Sequence, residues 1–547
     1  MIRFSKWLRP PYQISVLTIL LALFLSSVNN LTFLSRAFQV IDKTATLGLG
    51  FKIALFVCLN TLFTILLSLG GFRPLFKPFA SIIIITTAVI SYFMDNYGVI
   101  INAAMIQNVL ETDRKEAFEL LNFGIFWHVG IFGLLPAVLL YVCPVHYQTF
   151  PRELLSRGLM IGIAAIIMGG VVFSYYKDFS LTLRNNRELR FFVNPTYPIF
   201  ALSSYIRRVI NPPPPLTQIG LDAKQRFPEG IAGKKSLVIL VVGETARAQN
   251  FSLNGYQRET NPELSQLPVI NFNNTYSCGT ATAESLPCMF SHLGKAQYSD
   301  TKAKAYENVL DVLTRAGIKV FWRDNNSGCK GVCARIENES TENLQIQELC
   351  NSEECFDEVL LNDLQQYVDQ LQDNALIVLH QKGSHGPAYY KRHPNRFTRF
   401  TPECSSGQVQ DCTQQQITNA YDNTILYTDY FLSKVIEFLG RNNAKFNTAM
   451  WYMSDHGESL GENGIYLHGL PYFLAPDQQI HIPFILWLSP SLSDQFNIDV
   501  ACLKQDTYDH YSHDNLFHSL LGLFSINTIS YQPSLDVFRA CLKPTRN

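Results

Sequence analysis

Within its first 180 residues the chain carries five apolar stretches, at approximately 13–34, 47–70, 77–96, 121–143 and 156–176. Crossing a bilayer as a helix takes roughly 20 apolar residues, and a helix satisfies its own backbone groups where no water is available to do so. Each stretch is expected to form one membrane-spanning helix, giving an N-terminal five-helix transmembrane domain. The first stretch follows Arg3, Lys6 and Arg9, but no clean small-residue cleavage site succeeds it and four further spans do, so it reads as a span rather than a cleaved signal peptide.

Basic residues set the orientation. Arg3, Lys6 and Arg9 precede span one, Arg73 and Lys77 separate spans two and three, and Arg152 and Arg157 separate spans four and five. These positions share one side, expected to be cytoplasmic, although Arg36, Lys43, Arg114 and Lys115 on the other side soften the bias. An odd number of spans puts everything after residue 177 outside. The cysteines agree. Cys58 and Cys143 sit in or beside apolar spans and read as free thiols. Cys278, Cys288, Cys329, Cys333, Cys350, Cys355, Cys404, Cys412, Cys502 and Cys541 all lie in the soluble part. An even number at short spacings in an exported domain reads as a disulfide set. Nearest neighbours are 278/288, 329/333, 350/355, 404/412 and 502/541, although spacing alone leaves the connectivity open.

A chain of 547 residues exceeds one ordinary core, and a net charge of -1 carries no electrostatic footprint of a nucleic-acid partner. The expected organisation is a transmembrane domain over 1–176, interfacial helices and a Pro-rich linker over 177–233, and a soluble domain on the outer side over 234–547. Between spans three and four a polar helix is expected near 105–120, with Asn108, Thr112 and Glu116 at i, i+4 and i+8 on one face. That face is either a solvated surface or one turned towards an active site or lipid headgroups. After span five, Tyr175, Tyr176, Phe191, Phe192, Tyr197 and Tyr205 mix with Arg184, Arg187, Arg207 and Arg208, a membrane-interface composition. Asn211-Pro212-Pro213-Pro214-Pro215 then reads as a stiff linker.

From residue 234 onward short apolar runs alternate with helical patterns. Strands are expected at 236–242, 317–322, 375–380, 447–453 and 482–488, and helices at 303–315, 353–372 and 414–440. This alternation predicts an α/β domain with a mostly parallel, covered sheet.

Two of these strands end in metal-type ligands. Leu237–Val242 leads to Gly243-Glu244-Thr245, and Thr448–Met453 leads to Ser454-Asp455-His456-Gly457. Open α/β sheets build their sites at carboxyl strand ends, and carboxylate plus imidazole suits zinc with one position left open. A hydroxyl there would lose its proton more readily and attack phosphorus. The loop Cys278–Cys288 offers Thr280, Thr282 and Ser285, among which composition does not choose. His385, His468 and Lys330 are the candidate donors to phosphoryl oxygens or a leaving group. Each fragment alone has an ordinary reading as a cap, turn or structural histidine. Their order and strand-end placement carry the hypothesis.

The segments Gly243–Arg247, Ser277–Ala283 with Leu286–Ser291, Trp322–Ser327, Ser384–Pro387 and Ser454–Ser459 resemble those of the lipid A phosphoethanolamine transferases, a family that includes the mobile colistin-resistance enzymes. The resemblance implies an alkaline-phosphatase-like (sulfatase-superfamily) soluble domain with disulfides between neighbouring cysteines. It implies Thr282 as nucleophile and metal ligand, completing a Zn2+ site with Glu244, Asp455 and His456, and allows a second ion during turnover. It implies substrate binding by Asn108, Thr112, Glu116, Ser327, Lys330, His385 and His468. The implied protein is a monomeric, multi-pass enzyme of the bacterial inner membrane, with 234–547 as its periplasmic catalytic domain. It would take phosphoethanolamine from phosphatidylethanolamine, pass it to a lipid A phosphate through a phosphothreonine, and release diacylglycerol. The added amine lowers surface negative charge and so weakens polymyxin binding. Two alternatives stand beside this one: transfer of phosphoethanolamine or phosphoglycerol to a lipopolysaccharide core sugar or another envelope glycan, and a non-catalytic membrane sensor with a degenerate hydrolase domain.

Overall fold

The computed structural model describes residues 12–543 apart from 44–47, 112–119, 212–213, 227–233, 342–343, 345, 347 and 352–353. Arg3, Lys6, Arg9, Thr112, Arg114, Lys115, Glu116, Pro212 and Pro213 thus lie outside the described residues. The chain divides into two compact units, Met1–Ala103 with Leu121–Ser204, and Ala104–Leu120 with Tyr205–Asn547.

In the first unit, four described helices are long and apolar enough to cross a membrane: Leu49–Leu69, Phe76–Tyr97, Phe123–Val142 and Phe150–Ser174. The expected first span is not one straight helix. It is the pair Ile14–Ser27 and Leu31–Asp42, bent by 63°, so the count is four continuous spans, or five if the bent pair is one. Asn29 and Asn30 account for the break. The amide of Asn30 donates to the carbonyls of Leu25 and Asn194 at 2.9 and 2.6 Å, and its Oδ1 accepts the Asn194 N–H at 2.9 Å. Asn29 donates to Thr87 Oγ1 at 2.8 Å, and Asn194 donates to the Thr87 carbonyl at 2.9 Å. Side-chain amides that satisfy backbone groups in this way compete with helix continuation, and inside a bilayer such groups must find partners within the protein.

The second unit is built on an eight-stranded sheet. Its strands are β1 Lys235–Gly243, β2 Ile270–Tyr276, β3 Lys319–Asp324, β4 Glu337–Ser340, β5 Ala375–His380, β6 Phe446–Ser454, β7 His481–Leu488 and β8 Tyr511–Ser512. The order across the sheet is β8-β2-β7-β6-β1-β5-β3-β4. The sheet is mixed: β7 runs antiparallel to both β2 and β6, and the other pairings are parallel. A parallel return needs a crossover that carries the chain back across the sheet. The segment between β6 and β7 makes no such crossing. Its two ends are tied together by the Gly457 N–H on the Gln479 carbonyl at 3.0 Å, so β7 starts where β6 stops and must run back.

Strands β1, β5, β6 and β7 are buried along almost their whole length, the pattern of a sheet covered on both faces. Gln414–Arg441 starts at a Thr413/Gln416 capping box. Val309–Arg315 is shorter than expected because Asn308 and Asp311 cap it reciprocally. The helix expected at 353–372 is instead a 3₁₀ turn, Asp357–Leu361, and a short helix, Leu364–Gln370. Asp363, with φ of +52°, separates them. The described cysteines of the soluble part pair as nearest neighbours, and Cys58 and Cys143 are free.

Candidate active site

Four adjacent parallel strands, β6, β1, β5 and β3, point their carboxyl ends at one place. They deliver Asp455 and His456, Glu244, His380, and Asp324. Glu244, Asp455 and His456 are fully buried, and one ligand atom from each lies within 4.8 Å of the others.

Hydrogen bonding orients each group inward. The His456 Nδ1 faces the Gly457 carbonyl at 2.9 Å. A carbonyl only accepts, so Nδ1 carries the proton and Nε2 is the inward nitrogen. That Nε2 lies 3.4 Å from Glu244 Oε1 and 3.3 Å from Asp455 Oδ2. Asp455 Oδ1 is occupied by the N–H groups of Thr245 and His456 at 3.2 and 2.7 Å, whereas Oδ2 is buried with no hydrogen-bond donor among the described residues. Electron-rich atoms thus converge on a point that a proton or a cation must fill. Burial pushes the Asp455 carboxyl up to about 7, with the Glu244 charge adding to it. Burial opposes a charge on His456, but Asp455 and Glu244 outweigh it and hold the imidazole up at about 10. On Glu244 burial acts upward, and the His456 hydrogen bond and charge overcome it, bringing the carboxyl well below its usual range. The cluster therefore holds a proton when nothing else neutralises it, and a divalent ion takes the place of such protons. Two carboxylates, one imidazole and a nearby hydroxyl form a donor set that fits zinc.

The hydroxyl is that of Thr282. Its Oγ1 lies 3.1 Å from each Glu244 carboxylate oxygen and 3.3 Å from His456 Nε2. The other two hydroxyls of the loop are engaged elsewhere. Thr280 donates to the Leu470 carbonyl at 2.6 Å, and Ser285 donates to the Asp455 carbonyl. The Cys278–Cys288 disulfide closes the loop, and Thr282 opens the helix Thr282–Met289.

His468 joins this group, its ring centroid 4.4 Å from that of His456 and 5.7 Å from that of His385. Lys330 donates to Ser327 Oγ at 3.0 Å, and Ser327 follows Asn326, whose amide reaches Glu244 at 2.6 Å. The helix Ala103–Glu111 packs at Gly469: a Cβ on that glycine would lie 2.8 Å from Met105 Cε and 4.0 Å from Asn108 Nδ2. Of the expected polar face, Asn108 thus comes near Gly469, the residue after His468, while Thr112 and Glu116 lie outside the described residues.

Sequence reasoning missed Glu458, Tyr389, Asp324, Asn326 and His380. Glu458, Asp324 and Asn326 stand inside segments already recognised as informative, but nothing in their spacing says that they face inward.

Residues 59–210 match the family described as phosphoethanolamine transferase EptA/EptB, and residues 236–526 match the sulfatase family. Phosphoethanolamine transferase EptA of Escherichia coli K12 is 41% identical over 537 residues, covering 97% of this chain and 98% of that protein. Phosphatidylethanolamine transferase Mcr-1 of Escherichia coli is 38% identical over 534 residues, covering 95% and 97%. The integral membrane lipooligosaccharide phosphoethanolamine transferase A of Neisseria meningitidis superposes with a TM-score of 0.94 at 35% identity, over 98% of this chain and 100% of that one. With a matching membrane part, a matching sulfatase-type (alkaline-phosphatase-like) domain and relatives of this similarity along its length, the chain belongs to the EptA/EptB phosphoethanolamine transferase family.

Proposed function

We propose that this protein transfers phosphoethanolamine from phosphatidylethanolamine to a phosphate of lipid A, at a zinc site facing the periplasm of a bacterial inner membrane. The observation that carries the reading is the placement of Thr282 Oγ1, 3.1 Å from both oxygens of Glu244 at the edge of a buried donor cluster. Glu244, Asp455, His456 and Thr282 would hold the ion. Bound there, zinc supplies positive charge that makes a neighbouring hydroxyl more acidic and offsets charge on phosphoryl oxygens.

This chain's residues then do the rest. Thr282 Oγ1 attacks the phosphorus of the donor. The Oγ1–P bond forms as the P–O bond to diacylglycerol breaks, and the threonine proton is passed to the departing glycerol oxygen. A phosphate oxygen of lipid A next attacks the phosphothreonine, the P–Oγ1 bond breaks, and Thr282 regains its proton. His468 and His385 would give and take those protons, and Lys330 with Ser327 would steady the phosphoryl oxygens. Asn108, Thr112 and Glu116 would bind the lipid headgroup. Both substrates are lipids, so anchoring the protein as a monomer in the bilayer keeps the site at high effective concentration, and diacylglycerol leaves without crossing water. A relative named for phosphatidylethanolamine supports the choice of donor, and one named for Kdo(2)-lipid A supports an acceptor molecule that carries lipid A. Masking lipid A phosphate charge would weaken polymyxin binding.

The test is mass spectrometry of lipid A from cells expressing the parent chain or Thr282→Ala. A mass gain of one phosphoethanolamine in the first and none in the second is expected. Addition confined to the core sugars would overturn lipid A as acceptor, and full addition by Thr282→Ala would overturn the covalent route.

A further inference from the structure

Three polar groups lie behind Glu244, and the proposed reaction uses none of them. Asp324 ends β3, His380 ends the neighbouring β5, and Asn326 follows β3 by two residues. Asp324 and His380 are buried. Their hydrogen bonds form a closed set. Asp324 Oδ1 accepts the N–H groups of Asn326 and Gly328 at 2.9 and 3.2 Å, and Oδ2 accepts Trp322 Nε1 at 2.9 Å. Asp324 Oδ2 also faces His380 Nδ1 at 2.8 Å. A carboxylate holding backbone and indole donors in this way is an acceptor, so His380 Nδ1 carries a proton and its Nε2 offers a lone pair.

That lone pair fixes the amide of Asn326. Its Oδ1 accepts the Ser327 N–H at 2.8 Å, which turns the NH2 group the other way. One N–H meets His380 Nε2 at 3.3 Å and the other meets Glu244 Oε2 at 2.6 Å. With the amide so placed, Oε2 of Glu244 has a neutral donor and Oε1 is left on the His456 side, 3.4 Å from Nε2. A neutral donor orients the carboxylate without drawing off the charge that a cation needs. Groups of this kind commonly change metal affinity by 10–100-fold when removed.

We propose that Asp324, His380 and Asn326 are a positioning relay that holds Glu244 in place as a metal ligand, with Asn326 as its contact and His380 acting through Asn326. The inference rests on the zinc site of the proposed function. It assigns roles to residues of the Trp322–Ser327 segment and to a strand-end histidine that chemistry at phosphorus leaves idle.

The test uses the full chain purified in detergent and reads zinc affinity by competition with a chromogenic chelator, beside the thermal midpoint of the metal-free protein. Asn326→Leu is expected to weaken zinc binding by about 10–100-fold while leaving the metal-free midpoint near that of the parent. His380→Leu should weaken it less, and His380→Gln, which keeps an acceptor for the Asn326 N–H, should recover most of that loss. The double variant Asn326→Leu with His380→Leu should bind no more weakly than Asn326→Leu alone, because a residue acting only through another adds nothing once that other is gone. If Asn326→Leu does not fold, the His380→Leu and His380→Gln pair carries the test. Parental zinc affinity in a folded Asn326→Leu or His380→Leu, or additive losses in the double variant, would overturn the relay. Glu244→Gln separates the two readings: if it too retains zinc at parental affinity, the metal site itself fails, and if it alone loses zinc, only the relay does.

Discussion

The Nδ1 of His468 sits 2.8 Å from Oε2 of Glu458, a carboxylate with no exposed surface whose Oε1 accepts the Tyr389 hydroxyl at 2.6 Å. This arrangement puts the His468 proton on Nδ1 and leaves Nε2 with a lone pair for proton transfer. In Glu458→Gln, Tyr389 would still claim the side-chain oxygen, so the amide NH2 would face Nδ1 and drive the ring to its other tautomer. Turnover of a fluorescent phosphatidylethanolamine analogue should fall roughly 10²–10⁴-fold, the usual size of an acid–base contribution, with zinc content unchanged. Near-parental turnover would remove His468 from the proton path.

Removing the metal should destabilise the fold as well as stop turnover. Glu244, Asp455 and His456 are wholly buried, and among the described residues Asp455 Oδ2 has no hydrogen-bond donor to replace the ion. Zinc at 100 times its dissociation constant contributes about 2.7 kcal/mol to the folded state. The thermal midpoint should therefore fall on chelation and recover with added zinc. Asp455→Asn should lose most of that zinc-dependent rise, and an identical midpoint with and without zinc would count against a bound ion.

Gly383 should not tolerate a side chain. Its φ is +56°, and a Cβ there would lie 2.7 Å from the carbonyl oxygen and 3.0 Å from the nitrogen of Glu244. Neither backbone atom can move without moving the ligand. Gly383→Ala should cost about 1–3 kcal/mol in stability and weaken zinc binding, whereas Gly255→Ala, also at a left-handed φ of +90° but with none of the described residues within 4 Å of the added Cβ, should leave zinc binding as it was. Thermal melts and chelator competition on both variants check this.

The legible parts of this site are those that strand ends announce. Glu244 and Asp455-His456 each follow an unbroken apolar run, and such runs show in sequence whichever way the strand points. For the same reason the reversal of β7 is hidden, since its residues are equally buried in either direction. Thr282, Thr280 and Ser285 differ only in which atoms their hydroxyls meet, and two of those partners, Leu470 and Asp455, are far along the chain. The break at Asn29 and Asn30 is hidden in the same way, because it depends on Asn194 and Thr87. Local signals do better where the partner is local: Thr413 and Gln416 mark the start of their helix within one turn. Asn326 combines both cases. Its segment is conspicuous, yet its role depends on His380 and Glu244, which arrive from two other strands.

A last prediction concerns pH and lies away from the metal. Asp429, on the helix Gln414–Arg441, is buried and accepts the N–H groups of Glu263 and Leu264 at 2.8 and 3.1 Å. Burial nevertheless pushes its carboxyl up to about 7, from an ordinary value of 3.8. The unfolded chain therefore gives up this proton first as pH rises. The stabilising contribution of the protonated form is complete below about pH 4 and is lost as pH climbs through 7. Asp429→Asn keeps an acceptor for a backbone N–H and removes the titration. Over pH 4.5 to 7.5 the parent should lose about 3 kcal/mol relative to the variant, a gap of roughly 4 °C between their thermal midpoints at about 2.1 cal/mol/K of unfolding entropy per residue in a unit of this size. Measured with zinc chelated throughout, so that the metal ligands contribute equally to both proteins, parallel midpoint curves would show that Asp429 stays ionised in the folded state, held there by its two backbone donors.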